Sequence, residues 1–187
     1  MQAIREILCY LKSIPEKGLL FKSGQKLEVR GYTNADYSGS LVDRKSTIGY
    51  CVFLGENLVS WRSKKQVVLA RSSAKAKFRP MALGLCELLW LKIVLSDFKI
   101  LGHYPMKLMC DNQSAINIVH NSVQHDYTKH VEIDSHFTKE KLGVGEICLS
   151  FVPSENQLAD LLTKGLPLRR FKELVSKLRM IDIHLPA

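Results

Sequence analysis

Two strand-length apolar runs, Ile48–Leu54 and Leu58–Trp61, are separated by only Gly55-Glu56-Asn57, and this spacing restricts the fold more tightly than anything else in the chain. A three-residue link of that kind joins neighbouring antiparallel strands. Upstream, between Lys26 and Gly39, Leu27, Val29 and Gly31 alternate with Glu28, Arg30 and Tyr32. That is the period-two signature of a strand running into a polar loop. The three runs together predict an antiparallel meander.

The remainder alternates helix with strand. Ser72-Ser73 can cap a long helix whose inward face is Phe78, Met81, Leu85, Leu88, Leu89 and Leu95. Pro80 conflicts with a start at Ser73, because an interior proline loses a hydrogen bond and clashes with the preceding turn, at about 3 kcal/mol. A kink or a later start is expected. Met106–Cys110 reads as a short buried strand, Ser114–His120 and Thr128–Lys141 as helices, and Glu146–Val152 as a strand. Ser154 can cap a helix carrying Asp160, and Arg169–Leu178 forms a last helix with Phe171, Leu174, Val175 and Leu178 on one face. The order βββ-α-β-α-α-β-α-α predicts an α/β domain with a mixed sheet flanked by helices. Ahead of it, Ile4, Ile7, Leu8 and Leu11 form one helical stripe that Pro15 and Gly18 end.

Composition narrows the class. Of 187 residues, 46% are apolar and 24% charged, which is globular and not disordered. Lys plus Arg number 27 against 18 Asp plus Glu, an excess that favours a polyanionic partner. Cys9, Cys51, Cys86, Cys110 and Cys148 are odd in number and set among apolar residues. They read as core residues of a reduced intracellular protein, cytoplasmic or nuclear, and not as a disulfide framework. No signal peptide opens the chain, and Glu87 and Lys92 interrupt its most apolar stretch, so no membrane span is expected.

Two carboxylates sit where chemistry could use them. Asp111 ends the Met106–Cys110 strand just before a helix, and Asp160 lies in Gln157-Leu158-Ala159-Asp160. Taken alone, Asp111 reads first as a helix N-cap and Asp160 as a solvated helical residue. Six ordered segments add to this. They are Gly31-Tyr32-Thr33-Asn34-Ala35-Asp36, Asp43-Arg44-Lys45-Ser46-Thr47-Ile48-Gly49-Tyr50, Ser60-Trp61-Arg62-Ser63-Lys64-Lys65-Gln66, Cys110-Asp111-Asn112-Gln113-Ser114-Ala115-Ile116, Thr128-Lys129-His130-Val131-Glu132-Ile133-Asp134, and Gln157-Leu158-Ala159-Asp160 with Leu162-Thr163-Lys164. Over nearly its whole length the chain resembles the ribonuclease H domain at the C-terminal end of the Pol polyprotein of copia-type LTR retrotransposons.

The resemblance implies an RNase H-like fold: a five-stranded mixed sheet, its first three strands antiparallel, flanked by helices. It implies Mg²⁺-dependent hydrolysis of RNA in RNA–DNA hybrids, with two Mg²⁺ ions held by four carboxylates. Residues 1–24 then correspond to the end of an upstream reverse transcriptase region, 25–165 to the RNase H-like domain and 166–187 to a helical extension. Asp111 and Asp160 match two of the catalytic, metal-binding carboxylates. The other two positions carry Asn34 and Lys77, with Lys75 beside the latter and Asp36 as a possible nearby ligand. The four positions carry one unit of negative charge where the family pattern carries four. The expectation is a catalytically impaired or inactive domain; the alternatives are a non-catalytic nucleic-acid-binding module and an unselected relic. A subsidiary expectation pairs Lys77 with Asp111 in place of a metal.

Arg44, Lys45, Arg62, Lys64 and Lys65 are the candidate nucleic-acid-binding residues, around Trp61. The alternative is a solvated edge that keeps the sheet from pairing. His120, His125, His130 and His136 lack the cysteine pairs of a zinc site and are expected in surface or packing roles.

Overall fold

The computed structural model describes residues 17–23, 26–37, 39, 44–67, 69–70, 72–100, 105–121 and 129–182, with Ile4 and Leu8, both helical, ahead of them. The rest of the expected N-terminal helix, His125 and the side chain of His130 lie outside the described residues.

Strands β2 (Val29–Asp36), β3 (Thr47–Leu54) and β4 (Asn57–Lys65) form the predicted antiparallel meander. Its second turn is tight because Gly55 adopts φ 62°, a left-handed conformation that costs glycine little. β5 (Met106–Cys110) then pairs parallel to β2, and β6 (Ile147–Phe151) parallel to β5. The sheet order is β4-β3-β2-β5-β6, five strands and mixed, as expected.

Helix α1 (Ser73–Asp97) crosses one face of this sheet. Phe78, Met81, Leu85 and Leu88 pack there with Tyr50, Val52, Leu108 and Ile147 in the main apolar core. The approach is close at Gly84, where an added Cβ would lie 2.6 Å from Thr33 Cγ2. Ser72 caps the helix by accepting from the Lys75 amide at 3.2 Å.

Pro80 does lie inside α1, so the helix begins no later than first expected. The proline leaves the carbonyl of Ala76 without its helical donor, and Gln66 Nε2 donates to that oxygen at 3.3 Å. A side chain from the loop after β4 thus replaces the missing hydrogen bond.

Helices α2 (Gln113–His120) and α3 (Lys129–Gly143) complete that layer. Arg79 Nη1 of α1 contacts Asp134 Oδ1 of α3 at 2.9 Å. On the opposite face, Cys51, Phe53 and Leu58 pack against Leu158, Ala159 and the fully buried Leu174 of α4 (Leu168–Lys177).

The expected helix around Asp160 is instead a 3-10 turn, Leu158–Leu162, preceded by a second one, Ser154–Asn156. Gln157 caps the Asp160 turn, accepting from the Ala159 amide at 3.2 Å, so Ser154 does not take the role predicted for it. Five residues suffice there because both ends are anchored by side chains and not by a regular helical ladder.

Two short strands, β1 (Lys17–Leu19) and β7 (Met180–Asp182), pair antiparallel. They join the β3–β4 turn, where Lys22 N donates to Asn57 Oδ1 at 2.9 Å and Arg179 pairs with Glu56. Contacts therefore cross both boundaries expected at 24/25 and 165/166. Cys51 and Cys110 are buried as predicted, but Cys86 is exposed on the outer side of α1. Among the described residues, no helix is long and apolar enough to cross a membrane.

Candidate functional site

At the end of the sheet where β2 and β5 finish, the fold gathers Asn34, Lys77, Asp111 and Asp160. Asn34 comes from β2, Lys77 from the second turn of α1, Asp111 from the residue after β5, and Asp160 from the 3-10 turn. All four side chains are buried or nearly so.

Asn34 is the centre of the cluster. Its Oδ1 accepts from Lys77 Nζ and, at 2.8 Å, from the Ala35 amide. Its Nδ2 donates to Asp160 Oδ1 and, at 3.1 Å, to Thr163 Oγ1. The amide spends its whole donor and acceptor capacity, with the oxygen towards a cation and the nitrogen towards an anion. An aspartate at this position has no donor to offer Asp160.

Lys77 Nζ also lies 2.8 Å from Asp111 Oδ1, and both side chains are 7% exposed. The distance makes an ion pair, yet Oδ1 has no well-directed hydrogen-bond donor among the described residues. Asp111 does not cap α2; that role falls to Asn112, which accepts from the Ala115 amide at 2.8 Å. Its carboxylate is therefore committed to Lys77 and not to the backbone of α2.

Asp160 is matched by Lys164, whose Nζ lies 2.9 Å from Oδ1. Burial raises the Asp160 pKa from its ordinary value, with Lys164 opposing that shift. The turn is tied to β2 by Gln157 Nε2 donating to the Thr33 carbonyl at 3.2 Å. Thr163 Oγ1 donates to the Ala159 carbonyl at 3.2 Å, closing the loop on itself.

Gln157, Thr163 and Lys164 stand in the motif around Asp160, but sequence reasoning gave them no role at the site. Lys164 was recoverable from its i+4 spacing to Asp160. Gln157 and Thr163 were not, because their partners lie on β2, more than a hundred residues earlier.

Asp36 stands apart. Its carboxylate folds over Gly39, where an added Cβ would lie 1.8 Å from Asp36 Oδ2. No described contact joins it to the four-residue cluster. His120 and His136 are exposed, in keeping with surface roles.

The basic residues do not share one face. Arg62 and Lys64 turn towards α1, lining a shallow cleft with Tyr50, Pro80 and Leu83. Lys65 alternates to the opposite side with Trp61 and Ser63, because successive strand residues point to opposite faces. Arg44, in a left-handed conformation at φ 53°, is exposed and Lys45 is half-buried, both just before β3. The cations therefore wrap the β4 edge.

No protein-family model matches the chain. It is 37% identical over 178 residues to the Retrovirus-related Pol polyprotein from transposon RE1 of Arabidopsis thaliana, covering 95% of this chain and 12% of that protein. It is 32% identical over 177 residues to the Pol polyprotein from transposon TNT 1-94 of Nicotiana tabacum, covering 93% of this chain and 13% of that protein. The chain thus spans only a small part of the length of these relatives.

Among solved structures, the N-terminal RNase H domain of a Mycobacterium tuberculosis protein superposes with TM-score 0.52 at 12% identity, covering 81% of this chain and 98% of that one. A ribonuclease H1 isolated from compost gives TM-score 0.55 at 15% identity, covering 74% and 94%. The same compost enzyme solved in complex with RNA/DNA hybrid gives TM-score 0.50 at 13% identity, covering 73% and 94%. The chain belongs to the Pol polyprotein family of copia-type retrotransposons and carries the ribonuclease H-like fold.

Proposed function

We propose that this domain binds nucleic acid along its basic β4 edge, RNA–DNA hybrid foremost, and that its site does not hydrolyse the bound strand. The Pol relationship supports the partner class, as does the hybrid held by the compost enzyme of like fold. The basic excess supplies backbone affinity without sequence preference.

One observation carries the inert site: the Lys77 ammonium bridges Asn34 Oδ1 and Asp111 Oδ1. The family's Mg²⁺ pair needs hard anionic oxygens. Here the amide has spent its oxygen, and each remaining carboxylate already has a lysine. A lysine charge a few ångströms from a divalent ion opposes it by several kcal/mol, even at an effective dielectric of about 20. The residues present do not fit the metals.

The test is hybrid cleavage by the purified protein in Mg²⁺ or Mn²⁺, beside an Asn34→Asp, Lys77→Glu double variant. The expected result is no cleavage by the unaltered chain. The double variant should be less stable without divalent ions and regain stability with them, read by thermal melting. Mg²⁺-dependent cleavage by the unaltered protein would overturn the inert site.

A further inference from the structure

Trp61 is 54% exposed on β4, the last strand at its end of the sheet. Its face of the strand is fixed by its neighbours. It pairs with Cys51, which is buried among Leu158, Ala159 and Leu174. Two residues on, Ser63 Oγ donates to the Leu162 carbonyl at 2.6 Å. Alternation therefore puts the indole on the side of the sheet that carries the Asp160 turn.

The registers also measure its distance from the site. Asn34 pairs with Gly49 and Gly49 with Ser63, while Tyr32 pairs with Cys51 and Cys51 with Trp61. Trp61 is thus two strands across and two residues along from Asn34, or roughly 12 Å at ordinary strand spacings. That equals three to four base steps of a duplex strand at about 3.4 Å each.

An exposed aromatic on a rigid strand, flanked by cations, is the arrangement on which bases of single-stranded nucleic acid stack. Lys65 lies on the indole's own face, and Arg62 and Lys64 line the other side of the same edge. Along a duplex, stacked neighbours cover both faces of every internal base, so away from the ends only an unpaired nucleotide offers a face to the indole. We infer that Trp61 is the stacking platform for an unpaired nucleotide, in a single-stranded tail leaving the site along β4. This rests on the nucleic-acid reading above.

The chain has two tryptophans, and the other, Trp90, is 58% exposed on the outer side of α1. Trp90→Phe therefore leaves Trp61 as the single indole reporter. Titration of that variant with a twelve-residue oligothymidine should quench and shift Trp61 emission, whereas a blunt hybrid of equal length should perturb it little. Trp61→Ala should weaken oligothymidine binding about tenfold or more. Trp61→Phe should retain most of it, and the hybrid affinity should change little. Melting curves of both variants should match the parent, since the side chain is largely exposed. Oligothymidine binding that leaves Trp61 emission unchanged, or that Trp61→Ala does not weaken, overturns the platform alone. Hybrid binding without oligothymidine binding does the same. Failure to bind either nucleic acid overturns both this inference and the reading beneath it.

Discussion

Asp111 and Asp160 carry the same charge in one site, yet the protein holds them by different means. Among the described residues, Asp111 pairs with one ammonium, that of Lys77, with no well-directed donor on the oxygen nearest to it. Asp160 has a lysine, the Asn34 amide and a turn pinned by Gln157 and Thr163. The first half is fragile because, among the described residues, one side chain supplies its ion pair. The second is redundant, since its geometry is fixed by neutral hydrogen bonds as well as by charge. A buried cluster of an amide, an ammonium and two carboxylates can thus stay folded, provided each carboxylate finds a cationic partner.

Removing Lys77 should break the comparison most sharply. Lys77→Met leaves Asp111 buried and unpaired, at an expected cost of about 3–5 kcal/mol in urea unfolding. Adding Asp111→Asn should recover most of that loss. A cost comparable to that of a surface substitution would show that Asp111 has other support.

A smaller effect is expected from the pH dependence of Asp160. Burial raises its folded pKa, so its ionised form is disfavoured in the native state. Its contribution to stability is fully present below the unfolded carboxyl pKa and is lost as pH rises through the folded one. Asp160→Asn can still accept from Asn34 and removes that loss. The variant should gain on the parent as pH climbs from acid towards neutral, read as unfolding midpoints across the range. Parallel curves would show that Asp160 is not strained by burial.

Lys164→Ala should have the smallest effect. The lysine is 32% exposed, so solvent screens its pairing with Asp160. A loss below about 1 kcal/mol is expected, shrinking further in high salt. A loss as large as that from Lys77→Met would erase the distinction between the two halves.

Much of this was legible in the chain. The Gly55-Glu56-Asn57 link fixed the meander, and β5 falls where its apolar run predicts. Ordered motifs gave the fold family, and the pairing of Lys77 with Asp111 followed from the substituted positions. Local spacing failed where partners lie far away in sequence. The Asp160 segment reads as helix by its apolar spacing, but Gln157 and Thr163 bind β2 and shape it as a 3-10 turn. Pro80 argues for a kink or a later helix start, whereas Gln66 replaces the hydrogen bond that it removes. The cations of β4 read as one patch, although strand alternation divides them between two faces.

By itself, the sequence determined which residue types stand at the four positions: an amide, an ammonium and two carboxylates, one unit of net negative charge in all. Only the tertiary structure decided that the amide turns its oxygen to Lys77 and its nitrogen to Asp160. It alone showed that Lys164 closes the remaining charge. The reason is physical: charge is a property of composition, whereas compensation depends on distance and direction across β2, α1, β5 and the 3-10 turn, which only folding brings together.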